Sequence, residues 1–114
     1  MSIITWVLQG LLIAVFLMAS VGKIAGSKMH KEGFDKWRLP QWFRVVTGFV
    51  ELVGAILLII GFWNNTSGIA GALLLGVTAI GGILTHVRVK DSMKDTVTII
   101  VLGVLAFALL FLLL

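Results

Sequence analysis

The stretch from Trp42 to Trp63, WFRVVTGFVELVGAILLIIGFW, constrains the fold more than any other part of the chain. At about 1.5 Å per helical residue, it is long enough to cross a bilayer core of roughly 30 Å. Glu51 lies near its middle, and an ionised side chain at that depth costs roughly 2.5–3.5 kcal/mol on insertion scales. We therefore expect the folded protein to offer Glu51 a basic partner, a proton or a water-filled cavity.

Three more long apolar stretches accompany this one in the chain of 114 residues, of which 60% are apolar. Runs of this length indicate membrane spans rather than a soluble core. The first run lacks a basic n-region and is too long for a signal peptide, so we expect a permanent helix. We predict an all-α fold with one polytopic membrane domain over residues 1–114. Its antiparallel bundle has four transmembrane helices at about 3–26, 42–63, 68–87 and 96–114.

The positions of the charges indicate the orientation of the bundle. All nine Lys and Arg residues lie in or beside the first and third connections, including a charged turn at residues 88–95. The positive-inside rule places these connections in the cytoplasm and both termini on the outer side. Charges that flank spans indicate topology, so we expect no nucleic-acid partner. Arg44 and Arg88 are expected to serve this topology and to contact lipid headgroups.

The connections differ in composition. Residues 27–41, SKMHKEGFDKWRLPQ, are charged, and Gly33 is expected to act as a breaker. Two interpretations of this connector stay open, a segment lying on the membrane surface and a solvated loop with Trp37 at the interface. The uncharged sequence Asn64-Asn65-Thr66-Ser67 predicts a hairpin turn between the second and third spans.

Polar residues within the spans fall on single helix faces when about 100° is counted per residue. The second span carries Glu51 on a stripe of small residues, and such stripes mark close helix contacts. The stem of Lys23 can reach deeper into the bundle than its own backbone position. Lys23, Glu51 and His86 can therefore meet in the half of the bundle next to the charged connections. We predict a ligand-binding site of Lys23, Glu51 and His86, lined by Ser20 and Thr47, with Gln9 toward the outer end to hold a longer ligand.

Structural alternatives to this site stay open. A buried Lys23–Glu51 pair can serve only to fix helix register. Lys23 can also extend to the interface, and His86 can be an interfacial histidine without a task. We assign no catalytic residue and no metal site. Haem is not assigned, because the other histidine, His30, lies in the charged connector. The absence of cysteine excludes disulfides, thiolate nucleophiles and iron–sulfur ligation.

Four motifs in order resemble the DoxX family of small four-helix membrane proteins. The motifs are ASVGKIAG at 19–26, Leu39-Pro40, GFVELVG at 48–54 and THVR at 85–88. One departure is that the family often has a Ser-Gly pair near this lysine, whereas Val21 separates Ser20 from Gly22 here. The resemblance implies a four-helix bundle in the cytoplasmic membrane of a bacterium or archaeon. Some relatives are linked to thiosulfate:quinone oxidoreduction and to oxidative-stress responses.

Three functions are compatible with these observations. The first is binding of a lipophilic molecule, a quinone before others, with no covalent cofactor and as an accessory to membrane redox or oxidative-stress chemistry. Such a protein is not catalytic alone but serves as an accessory subunit of a quinone-linked oxidoreductase. Its expected partners are membrane lipid, the lipophilic molecule, and a redox partner protein or a second copy of the chain.

The second function is a small proton-coupled exporter that uses Glu51. Small multidrug exporters carry their essential glutamate in the first helix, where this chain has Lys23, and a nearby lysine opposes the binding of a cationic drug. The third function is a non-catalytic structural subunit of a larger membrane complex.

Overall fold

The computed structural model describes residues 2–90 and 93–114. These residues form five α-helices: α1 (Ile3–Ala25), α2 (Lys28–Lys36), α3 (Gln41–Ile60), α4 (Asn65–Arg88) and α5 (Met93–Leu113). Within the described residues, α1, α3, α4 and the Thr96–Leu113 part of α5 are long and apolar enough to cross a membrane. The predicted all-α fold with four spans is therefore confirmed.

The four long helices form a ring in which each helix packs against two neighbours. Helix α3 lies between α1 and α4, and α5 packs against α4 and α1. The chain crosses the bundle in alternating directions along α1, α3, α4 and α5. Every neighbouring pair of these four helices is therefore antiparallel. Helix α2 packs against α3 and α1. We call the end of the bundle with Lys23, Arg44 and Arg88 the basic end, and the opposite end, with Asn64, the asparagine end.

Local sequence signals explain where α1 and α2 begin and end. The hydroxyl of Ser2 accepts the N–H of Thr5 at the start of α1. Helix α1 is capped by Gly26, whose φ of 76° is the left-handed conformation that glycine adopts without strain. The next residue, Ser27, is the N-cap of α2. The prediction that Gly33 interrupts helical structure is wrong, because Gly33 lies inside this short helix.

Helix α4 begins earlier than the sequence predicts. The side-chain oxygen of Asn64 accepts the N–H groups of Thr66 and Ser67, at 3.1 and 3.4 Å, and so caps the helix. Asn65, Thr66 and Ser67 therefore form the first turn of α4 and not the predicted hairpin turn. At the other end of the bundle, α5 begins at Met93, so the predicted charged turn is partly helical. Asp91 of that turn lies outside the described residues.

The apolar core fills the middle of the bundle and its asparagine half. It consists of small and branched side chains from all four spans together with one phenylalanine: Leu12, Phe16, Ala55, Leu58, Ala72, Leu75, Ala106, Leu109 and Leu113. Glycines on α3 and α4 let the helix backbones approach, as the small-residue stripes predict. A Cβ added to Gly71, for example, would lie 2.9 Å from the Gly54 carbonyl oxygen. The basic half of the bundle contains a cavity instead of a solid core.

Candidate functional site

The site is built around an ion pair between α1 and α3. Lys23 lies in the last turn of α1, and Glu51 lies in the middle of α3. The Lys23 Nζ atom donates to the Glu51 Oε1 atom at 2.5 Å, and the two side chains are 14% and 6% exposed. The partner that the sequence requires for Glu51 is therefore the lysine of the preceding span.

Close approach of the two helices makes this pair possible. Gly48 lies one turn before Glu51 on the same face of α3, and it packs against the last turns of α1. A Cβ at Gly48 would lie 2.8 Å from the Ile24 Cγ1 atom and 3.1 Å from the Ser20 carbonyl oxygen. Glycine at this position therefore sets the short distance between the helices that the Lys23–Glu51 contact needs.

A cavity of about 350 Å³ lies beside the ion pair. Lys23, Thr47, Glu51 and His86 contribute polar groups to its wall, together with the threonines of α4. The rest of the wall is apolar, and every helix contributes to it. The remaining lining residues are Phe16, Phe34, Trp37, Leu39, Phe43, Val46, Val50, Ala79, Gly81, Gly82 and Ile99, with Thr78 and Thr85.

Aromatic residues cover the cavity at the basic end. The ring of Trp37 contacts the ring of His86 at a centroid distance of 4.8 Å and that of Phe34 at 5.3 Å. Phe34 and His86 are both buried. Arg88 donates to the Trp37 carbonyl oxygen at 2.6 Å. This hydrogen bond connects the residue that follows α2 to the end of α4. Trp37 therefore packs against the bundle at its basic end.

Phe34 and Trp37 are site residues that the sequence analysis missed. They are three positions apart in a basic segment, which is the spacing of two side chains on one face of a helix. That spacing was the available signal. Because the sequence predicts residues 27–41 as a membrane-surface segment or a solvated loop, this spacing alone does not direct the two rings toward the bundle.

Arg44 has a different role from the one predicted. Its side chain is buried, and its guanidinium donates to the carbonyl oxygen of Lys23 and, through Nε, to the Gln41 Oε1 atom at 2.8 Å. The expectation of a headgroup contact is wrong for this residue. A cation at the carboxyl end of a helix satisfies free carbonyl groups and interacts favourably with the helix dipole. Arg44 thus stabilises the end of α1 that carries Lys23.

His30 contributes to the electrostatics of the basic end. Its ring lies against Gly22, where an added Cβ would come within 2.7 Å of ring atoms. Burial lowers the pKa of His30, and the charges of Lys23 and Arg44 lower it further. His30 is therefore mainly neutral at pH 7 and adds little positive charge to the basic end.

Thr47 and Ser20 occupy different places relative to the cavity. Thr47 lines it, and its hydroxyl donates to the Phe43 carbonyl oxygen at 2.8 Å. Ser20 is fully buried in the contact between α1 and α3, and its hydroxyl donates to the Leu17 carbonyl oxygen at 2.9 Å. The structure thus brings Thr47 together with Lys23 and Glu51 and leaves Ser20 behind the cavity wall.

Gln9 lies apart from the cavity, near the asparagine end. Its Nε2 atom donates to the Leu58 carbonyl oxygen at 2.7 Å. Near the end of α3 the Phe62 N–H bonds to the Ile59 carbonyl instead, so the amide of Gln9 satisfies a terminal carbonyl. Core side chains, among them Leu12, fill the interior between Gln9 and the ion pair. A direct role of Gln9 in ligand binding stays a prediction.

Comparisons with known proteins give matches that extend over most of the chain. A sequence model of the DoxX-like family matches residues 7–109, a range that contains every polar residue of the cavity wall. The chain is also similar to an uncharacterized protein, YdgD, of Bacillus subtilis (strain 168). The two are 32% identical over 82 residues, which cover 70% of this chain and 72% of that protein. No solved structure matches the chain.

Proposed function

The chain belongs to the DoxX-like family and is an integral membrane protein, and we propose that it binds a lipophilic molecule with a polar head, a quinone before others. The observation that carries this proposal is the position of the Lys23–Glu51 pair in the wall of a cavity of about 350 Å³. A pair that only fixed helix register would need no cavity, because protein interiors are otherwise close-packed. Ligand sites are typically apolar pockets of ~300–1,000 Å³ with a few polar groups, as found here.

The arrangement of polar groups suits a quinone ring. The Lys23 ammonium has three N–H donors, of which the bond to Glu51 uses one. Lys23 and His86 lie on α1 and α4, which face each other diagonally across the ring of helices. A ring placed between them would present one carbonyl oxygen to each side. Aromatic side chains such as Phe16 supply apolar surface for the faces of that ring.

The carboxylate gives the site a way to handle protons. Reduction of quinone carbonyls to hydroxyls takes up protons together with electrons, and the Glu51 carboxylate in the cavity wall can accept a proton and relay it to a bound head group. In this proposal the electrons come from a partner protein. The function is thus that of an accessory to membrane redox or oxidative-stress chemistry. We also propose that the basic end faces the cytoplasm of a prokaryotic cell, with both termini outside.

Quinone titration of the purified protein in mild detergent tests the proposal. Binding of menaquinone and ubiquinone is followed by quenching of tryptophan fluorescence, because Trp37 lies in the cavity wall. Glu51→Gln and Lys23→Gln should each weaken binding by about tenfold or more, the effect of losing a hydrogen bond to a charged group. Native mass spectrometry of the same samples reports bound lipid and subunit number.

The chain offers a matched control for the charge changes. Lys28 and Glu32 form a pair at 4.0 Å on the exposed face of α2, outside the cavity. Lys28→Gln and Glu32→Gln alter the same charges and should leave quinone binding at the parent level. If Glu51→Gln and Lys23→Gln also bind both quinones as the parent does, the proposed function is wrong.

A further inference from the structure

We propose that the tail of the bound molecule leaves the cavity sideways into the bilayer, through a gap between α3 and α4 that Gly81 keeps open. This inference rests on the proposed function and adds the route of the ligand, and with it the class of ligand. The ligand is an amphiphile whose head is enclosed and whose apolar tail stays among the acyl chains.

The exposed part of the cavity wall lies on the membrane-spanning helices. Phe43 and Val46 of α3 line the cavity and are 38% and 45% exposed, and Gly81 of α4 lines it opposite them and is exposed. All three are apolar. The wall at the basic end is different, because Phe34 is buried there and Trp37 covers His86. Among the described residues, the opening is therefore lateral and mainly apolar, and the half-exposed Thr47 and Thr85 also line the cavity.

The depth of the gap places it beside acyl chains. Gly81 lies seven residues before Arg88, which corresponds to about 10 Å along α4. Val46 lies five residues after the first residue of α3, about 7 Å along that helix. Half of a hydrocarbon core of roughly 30 Å is about 15 Å. The gap thus opens into the leaflet nearest the basic end and not into water.

Neither packing nor backbone geometry accounts for a glycine at position 81. A Cβ added to Gly81 would have no atom within 4 Å, whereas a Cβ at the next residue, Gly82, would lie 3.1 Å from Ile99. Glycine also has a lower helix propensity than almost every other residue, so it destabilises a helix interior. What the missing side chain does provide is open space at the mouth of the cavity.

The size of the cavity requires an exit for a long tail. Its volume of about 350 Å³ is near the lower end of the ~300–1,000 Å³ that encloses drug-sized ligands. A substituted ring fits this space, but an isoprenoid chain does not. Toward the asparagine end, the core side chains Phe16 and Leu75 are fully buried and close the interior. The gap between α3 and α4 is then the route left for the tail.

The test uses two quinone probes that differ only in the tail. One is 2,3-dimethoxy-5-methyl-1,4-benzoquinone, and the other is its 6-decyl derivative. Gly81→Leu should lower the affinity for the decyl probe by about tenfold more than the affinity for the tailless probe, the effect of losing about two buried methylene contacts. The control is Gly10→Leu, since a Cβ at Gly10 also meets nothing within 4 Å and Gly10 lies outside the cavity wall. It should bind both probes as the parent does.

Two results of this titration would overturn the inference. One is that Gly81→Leu binds the decyl probe as tightly as Gly10→Leu does. The other is an equal loss of both probes, which would mean that residue 81 affects the head site and not the path of the tail.

A second measurement separates the gap from the proposed function. The chain contains no cysteine, so a nitroxide can be attached at a single site, Thr78→Cys in the cavity wall, with Gly10→Cys as reference. In liposomes, we expect lipid-soluble oxygen to relax the label at 78 as strongly as the reference, and a water-soluble nickel chelate to have little effect. Stronger relaxation by the chelate would overturn the lateral opening. If neither probe binds the parent but oxygen still reaches the label at 78, the proposed function fails and the gap stands.

Discussion

Lys23→Met tests the central ion pair, because methionine keeps a long stem and removes the ammonium. At the Nζ–Oε1 distance of 2.5 Å, an effective dielectric constant of about 20 gives a gross attraction of about 7 kcal/mol. Taking the charges out of water costs several kcal/mol for each ion, so the intact pair contributes little net stability. Loss of one partner is different. It leaves a Glu51 side chain that is only 6% exposed without compensation, and we expect a loss of about 3–5 kcal/mol.

The double variant Lys23→Met/Glu51→Leu shows whether the two charges act as a unit. Removing both charges should restore most of the free energy of unfolding lost in Lys23→Met, because no unpaired ion remains. Glu51→Leu alone should cost less than Lys23→Met. The lysine stem can carry its ammonium toward the basic end, whereas the shorter glutamate cannot move away. The assay is unfolding by increasing fractions of dodecyl sulfate in mixed micelles, followed by circular dichroism.

Quinone titration of the same double variant separates stability from binding. A variant that is as stable as the parent and no longer binds quinone would mean that the pair serves the ligand as well as the fold. The exposed Lys28–Glu32 pair, whose side chains are 89% and 68% exposed, provides the control. Its variants should have additive and small effects. If Lys23→Met unfolds at the same detergent fraction as Lys28→Met, the argument from burial is refuted.

Three further predictions concern the surroundings of the site. Gly48→Ala should destabilise the bundle by about 1–3 kcal/mol, because the new methyl group would meet the Ser20 carbonyl oxygen at 3.1 Å; unfolding at the parent's detergent fraction would contradict the close contact. Burial and nearby cations lower the pKa of His30, so stability present above pH ~6.5 should fall as the pH drops below that value, where the unfolded state binds more protons. His30→Gln should flatten this slope in denaturation measured at several pH values, and an unchanged slope would count against the assignment. Gln9→Leu removes the bond to the Leu58 carbonyl and should cost about 0.5–1.5 kcal/mol in the same unfolding assay; a loss of quinone affinity instead would bring Gln9 into the site.

The spans could be predicted from the sequence because the bilayer imposes a strong and local requirement. A helix that crosses it needs about 20 apolar residues, and the four stretches that meet this condition match α1, α3, α4 and α5 to within a few residues. Helix α2 could not be found in this way. It has nine residues and many charges, and a short helix is held by tertiary packing rather than by its own propensity. That packing comes from Phe34, which is buried against Trp37 in the cavity wall. Hydropathy alone does not reveal this contact.

The ion pair was predictable for the same reason as the spans. A carboxylate in hydrocarbon needs a partner, and the helical period places Lys23 and Glu51 on facing sides of their helices. The partner of Arg44 was not predictable, although the helical period places Arg44 on the same face of α3 as Gly48 and Glu51. Charge counts assign it to the interface, but the left-handed turn at Gly26 brings the end of α1 to its guanidinium, 3.3 Å from where a Gly26 Cβ would lie. The sequence thus predicts the direction of this side chain but not the Lys23 carbonyl that it binds.

In the proposed route, the covered side and the exposed side of the cavity wall together decide which molecules can reach the pair. Phe34 and Trp37 cover the side that faces the charged connections, and the exposed wall residues Phe43, Val46 and Gly81 lie at acyl depth. With entry through this gap, a molecule must dissolve in the bilayer before it meets Lys23 and Glu51. Ligands are then selected first by their solubility in lipid and second by the hydrogen bonds that their head groups form with the site. Under this proposal, water-soluble anions reach the site less readily than lipid-soluble molecules, since their route would pass through hydrocarbon.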